Sequence, residues 1–199
     1  MSKGASTREA VLGHALAQAS ELGLGGVTIG TRAERAKMSK SGLFAHFESK
    51  EALQIAVLDE ATRRFIEIVV APALREKRGE PRVLALLKYW QEWAEAEFMP
   101  GGCVFVASIA DLDDQPGPVR DRLIETQRDW LETLTTAIRI AIDEGHFRRN
   151  LDAAQLAHDF LSLAYGTHLL ARLLHDPKAD EQRRRAFKKL LTDARLTPS

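Results

Sequence analysis

Cysteine is nearly missing from this sequence: Cys103 stands alone, so neither an intrachain disulfide framework nor a cysteine cluster for zinc can form. The six histidines are scattered and show no HxxxH or HExxH spacing, so no metal and no cofactor is expected. Net charge is absent as well, with 28 Lys and Arg against 28 Asp and Glu. No hydrophobic run is long enough for a bilayer; the longest strongly apolar uncharged stretch, Phe160 to Ala171, falls well short. The N-terminus carries no basic leader followed by an apolar core, and a cytoplasmic protein without membrane association is expected. Strand-like alternation, hairpin signals, internal repeats and low-complexity tracts are also lacking.

What is present describes a globular chain. The 199 residues are 45% hydrophobic and 28% charged, enough for a good core and one or two domains. The neutral total hides a division: residues 1–50 hold seven Lys and Arg against four Glu, a surplus of three positive charges that the remainder balances. A cationic N-terminal unit on a mildly acidic body suits contact with a polyanion through one end.

Helical signals follow one another along the chain. Ser6 and Glu9 have capping-box spacing, and Val11, Ala15, Ala19 and Leu22 repeat at helical intervals until Gly23. After the turn Gly23-Leu24-Gly25-Gly26, Thr28 caps a short second helix reaching about Ala36. A third begins at Ser39, and Leu43 and Phe47 share its buried face while Lys40, Ser41, Phe44 and His46 point outward. Ser49 caps a long helix through Leu53, Val57, Ala61, Phe65 and Val69, which Pro72 is expected to stop. Pro81 opens a helix containing Leu84, Leu87, Trp90, Ala94 and Phe98. Cys103 to Ala110 reads as a short buried helix, with a loop from Asp111 to Pro118. Three more helices are expected over about 119–144, 153–174 and 177–194, with Asp152 and Asp176 marking the starts of the last two. Three short helices with a tight turn between the second and third are the pattern of a helix-turn-helix unit, whose third helix would lie in the major groove.

The segment Thr28 to Leu53, TIGTRAERAKMSKSGLFAHFESKEAL, resembles the DNA-binding core of the TetR/AcrR transcriptional regulators, including the aromatic-x-His-Phe-x-x-Lys signature at Phe44, His46, Phe47 and Lys50. The likeness covers roughly the first 55 residues in sequence and the rest in architecture. It implies an all-α chain: a helix-turn-helix DNA-binding domain over residues 1–55, joined by a long helix to an effector-binding and dimerisation domain over 56–199. It further implies a homodimer on a pseudopalindromic double-stranded DNA operator, released by a small, mainly apolar effector. Lys40, Ser41 and Phe44 would meet base edges and nearby backbone, Gly42 allows close approach, and Thr28, His46 and Lys50 match positions that contact phosphate, with Ser39 capping the reading helix. Three positions depart from the family pattern. Phe44 stands where Tyr is usual, which replaces a phenolic hydrogen bond by apolar contact. Lys37 occupies a turn position that is often Gly, where a positive φ would cost on the order of 1 kcal/mol. Arg32 replaces an apolar residue, and either snorkels to a phosphate or weakens the three-helix core.

In the second domain, Trp90, Trp93, Phe98, Cys103, Phe105, Phe160, Tyr165 and His168 are candidates for an effector pocket, the alternative being a filled core. Leu156, Leu163, Leu170 and Leu174 form an apolar stripe on which Ala164 and Gly166 permit close helix approach, so these six are candidates for a two-fold four-helix dimer contact. Two other functions compete with regulation: an enzyme pairing Cys103 with His168 or His158, and an interaction protein whose DNA-binding unit Arg32 and Lys37 have impaired.

Overall fold

The computed structural model describes residues 3–27 and 47–196. Their backbone is helical apart from turns and one isolated antiparallel bridge between Phe147 and Arg195. Helix α1 spans Lys3–Leu22, starting a few residues before the expected Ser6 cap. Val11, Leu12, Ala15, Leu16 and Ala19 make its buried face. It ends where Gly23 takes a φ of +70°, a conformation that glycine adopts without a Cβ penalty.

Helix α2 spans Lys50–Phe65 and is capped as expected: the Ser49 hydroxyl accepts from the Ala52 N–H at 3.0 Å. Glu51 lies in its first turn, matching charge to the positive end of the helix dipole. Pro72 does not stop the helix. The backbone widens into a π-helical segment over Ile66–Val70 and continues as α3, Ala71–Arg75. Proline cannot donate to the carbonyl four residues back, here Ile68, and its ring crowds that carbonyl; a π turn relieves both demands while the chain stays helical.

Helix α4 is Glu80–Ala94, with Pro81 in its first turn; it ends before Phe98, which falls in the following turns instead of on the helix. Helix α5, Val104–Leu112, is the apolar segment read as a buried helix. Helix α6 runs Pro118–Asp143 and α7 Ala153–Leu174. The Asp152 carboxylate caps α7 by accepting from the Ala154 and Gln155 N–H groups, both at 3.0 Å. Helix α8 is Ala179–Ala194, two residues later than Pro177 suggested.

These elements form two compact units, each built from two stretches of chain. The first comprises residues 1–66 and 92–126, the second 67–91 and 127–199. In the first, α1 packs against α2 and α5 around Leu16, Leu24, Leu53, Leu58, Trp93 and Met99, all fully buried. In the second, α7 packs along α8 over a core that includes Leu86, Leu134, Ile138, Phe147 and Phe160. Burying each such side chain contributes about 1.5–3 kcal/mol, and in a chain without a disulfide this term carries the fold.

Candidate functional site

Most of the expected DNA-reading residues, namely Thr28, Ser39, Lys40, Ser41, Gly42, Phe44 and His46, lie outside the described residues, as do Arg32 and Lys37. The described flanks fix both ends of that segment. On its far side Phe47 is buried, with the Arg8 guanidinium 5.4 Å from its ring centroid, a cation–π contact that ties α1 to the start of α2. Lys50 is exposed at the first position of α2, and its Nζ donates to the Gly25 carbonyl at 2.9 Å. An ammonium has three donors, so this bond leaves others for phosphate.

The near side is the turn Gly23–Val27. Gln54 Nε2 donates to the Leu24 carbonyl at 2.6 Å, and Gln18 Nε2 to the Gly26 carbonyl at 3.2 Å. The Val27 N–H bonds back to Leu24 at 3.1 Å. The Gly25 N–H donates to the carboxylate of Asp111, which comes from the last turn of α5, 86 residues away. The sequence reading opens a loop at Asp111, but the helix runs on to Leu112, which places this carboxylate at the end of the dipole that disfavours it.

The eight effector candidates divide between the units. Trp93, Phe98, Cys103 and Phe105 belong to the first, where they join Phe65. Trp93 and Phe105 stack with centroids 5.9 Å apart, Phe65 meets both edge-on at 5.3 and 5.8 Å, and Phe98 meets Trp93 at 5.6 Å. The Trp93 indole N–H points to the Cys103 sulfur at 3.4 Å. Trp93, Cys103 and Phe105 are buried, so these rings fill one another's space. Burial pushes the Cys103 thiol well above its usual pKa, the condition of an inert packing residue.

Trp90, Tyr165 and His168 meet in the second unit, with Trp90 5.9 Å from the Tyr165 ring and 6.4 Å from the His168 ring. The Tyr165 hydroxyl donates to Gln127 Oε1 at 2.7 Å. Burial, with Arg172 and Arg183 adding repulsion, lowers the His168 pKa from 6.5 to about 4, so it is neutral at physiological pH. Phe160 turns elsewhere, edge-on to Phe187 at 5.5 Å. A separate cavity of about 430 Å³ opens in this unit beside the π segment. Val70, Leu74, Leu86 and Ile140 contribute apolar lining, and Arg82 and Glu132 polar groups.

Of the six dimer candidates, Leu156 and Ala164 are buried within their own unit, Leu163 and Gly166 are half-buried, and Leu170 and Leu174 are exposed. A Cβ built at Gly166 meets nothing within 4 Å. The exposed apolar surface is larger than the sequence stripe suggested: Leu169 and Leu173 join it, giving exposures of 53, 56, 76 and 63% for Leu169, Leu170, Leu173 and Leu174. Their doublet spacing, one helical turn apart, was the available signal.

Two family models match the chain. One, described as bacterial regulatory proteins, tetR family, covers residues 11–57. The other, described as tetracyclin repressor-like, C-terminal domain, covers residues 79–187, more than half of the chain. No curated protein matches. Among solved structures, the chain is similar to a TetR transcriptional regulator from Chloroflexus aurantiacus, with 29% identity and a TM-score of 0.86 over 99% of this chain and 100% of that one. A TetR-family regulator from Cytophaga hutchinsonii gives 20% identity and a TM-score of 0.84 over 100% and 99%. AibR, solved in complex with isovaleryl coenzyme A and operator DNA, gives 20% and 0.72 over 94% and 99%. Among the described residues, no helix is long and apolar enough to cross a membrane. An all-helical chain matching both models along its length belongs to the TetR family of DNA-binding transcriptional regulators, with an N-terminal helix-turn-helix and a helical C-terminal domain.

Proposed function

We propose that this regulator is a cytoplasmic homodimeric repressor that leaves a pseudopalindromic operator when a small, mainly apolar effector binds its second unit. The observation that carries this reading is the exposed leucine face of α7. Four large aliphatic side chains on one half-helix, beside a half-buried glycine with open space around it, call for an apolar partner, and a second copy of the same face satisfies the symmetry of a two-fold contact. The two-fold axis sets the spacing of the two reading helices, one per half-site. Lys40, Ser41 and Phe44 read base edges, and Thr28, His46 and Lys50 hold phosphates, with Gly42 giving close approach and Ser39 capping the helix.

The effector's place is in the second unit. Trp90, Tyr165 and His168 offer two aromatic faces and a neutral imidazole, and the 430 Å³ cavity offers an apolar floor with charged groups at its margin. The Trp93 and Phe105 stack of the first unit is packed shut and drops out of this role. AibR, with an acyl coenzyme A and operator DNA in one crystal, is a similar fold in which ligand and DNA meet one protein. In the repressor reading effector and operator oppose each other by linkage, so each lowers the affinity for the other by the same factor.

An enzymatic role through Cys103 is disfavoured, since its thiol is enclosed and its pKa raised. Light scattering at micromolar concentration is expected to give twice the 22.1 kDa chain mass, and a DNA fragment retained at low salt is expected to be released by joint Lys40→Ala and Lys50→Ala substitution. A monomer, or retention unaffected by the double substitution, overturns the reading.

A further inference from the structure

We propose that Asp111 is a positioning residue for operator binding: its carboxylate clasps the glycine turn from which the DNA-reading segment departs. This rests on the DNA-binding reading above. Three observations converge on it. The Gly25 N–H donates to the Asp111 carboxylate, a long-range bond between the end of α5 and the end of α1. The approach is close: with Asp111 in place, a Cβ at Gly23 or Gly25 would lie 2.9 or 2.8 Å from one of its carboxylate oxygens. The same turn is also held by α2, where Gln54 and Lys50 donate to the Leu24 and Gly25 carbonyls.

The turn is therefore held through directional bonds from two helices, up to the point where it passes to the DNA-reading segment. The apolar contacts already dock these helices: Leu16 and Leu24 are fully buried, as are Leu53 and Leu58 of α2. Polar bonds at a partly exposed turn add little to that docking, but they set direction, which apolar packing does not. Asp111 also sits at the negative end of the α5 dipole, where a carboxylate is disfavoured unless a donor meets it. The Gly25 N–H is that donor. Part of the operator-reading geometry is thus set by a residue within the stretch matched as the C-terminal domain.

The test uses full-length protein and a DNA site selected by the wild type from a random-sequence pool. Asp111→Ala is expected to raise the Kd for that site about ten-fold, the equivalent of one charge-assisted hydrogen bond, with the active fraction from stoichiometric titration unchanged. Asp111→Asn, which keeps an acceptor oxygen, is expected to recover most of the affinity. Hydrogen exchange in peptides spanning residues 20–60 should rise in the alanine variant while α7 and α8 keep their protection. A wild-type Kd in Asp111→Ala overturns the proposal. So does a loss seen only as fewer active molecules, which marks a structural role. If the wild type selects no DNA, the DNA-binding reading itself fails, a different result from either.

Discussion

The glycine turn of the first unit and the C-terminal half of α7 in the second treat their surfaces in opposite ways. At the turn, a peptide N–H and three carbonyls find partners inside the chain, from Asp111, Gln54, Lys50 and Gln18. Along α7, four leucines stand more than half exposed among the described residues. Exposing one leucine is ordinary; exposing four on one half-helix is not. The first region pairs its polar groups within the chain, and the second leaves a large apolar face open. The same contrast runs through the aromatics. Trp93 is enclosed by Phe65, Phe98 and Phe105, whereas Trp90 shares its surroundings with a tyrosine hydroxyl and a half-buried histidine.

Breaking the closed side should produce the largest effect. Trp93→Ala leaves a cavity among three rings and removes the donor to Cys103, and is expected to cost about 3–5 kcal/mol in denaturant unfolding without shifting the mass read by light scattering. Breaking the open side should do the reverse. Leu170→Glu with Leu173→Glu places two carboxylates on the exposed face, and is expected to weaken self-association at least about 100-fold, about 2.7 kcal/mol, while each unit keeps its unfolding transition. Sedimentation across a concentration series reads the first quantity and calorimetry the second.

A pH series sharpens the comparison further. The His168 pKa is lowered to about 4, so between pH 6.5 and 4 the unfolded chain binds a proton that the folded chain refuses. Stability therefore falls as pH drops through that window and levels off below it. Allowing for partial exposure, the loss is about 2 kcal/mol, and His168→Gln should flatten it. The smallest effect is expected at Cys103→Ala, about 1 kcal/mol of stability and no change in peroxide sensitivity of DNA retention, because the sulfur packs and does not react.

How far the sequence could be read depends on the range of the interactions involved. Caps and stops are local, and Ser49, Asp152 and Gly23 act where their positions implied. The apolar run before Asp111 was legible as a helix because eight residues without charge in a helical chain have few other options. Pro72 reads as a stop in the sequence because the π turn that accommodates it has no sequence signature. The aromatic residues were legible as large and buried, but not as two groups: Trp90 and Trp93 sit three residues apart on one helix and find different partners. The role of Asp111 is not legible in the sequence for the same reason, its partner being 86 residues away. Spacing predicts neighbours on one element, and tertiary contact is what spacing omits.

The π segment Ile66–Val70 bears on the length of the chain itself. A π turn holds about one residue more than an α turn, and each residue in an α-helix advances the face by 100°. Losing a single residue from α2 would rotate every later side chain away from its buried face, taking Val69 and Ala73 with it. Losing a single residue within 66–70 would instead let the turn relax to α-helical geometry with both flanking faces kept. Related chains that differ by one residue in this helix should therefore differ here, and a one-residue deletion placed here should fold where its neighbours in α2 do not.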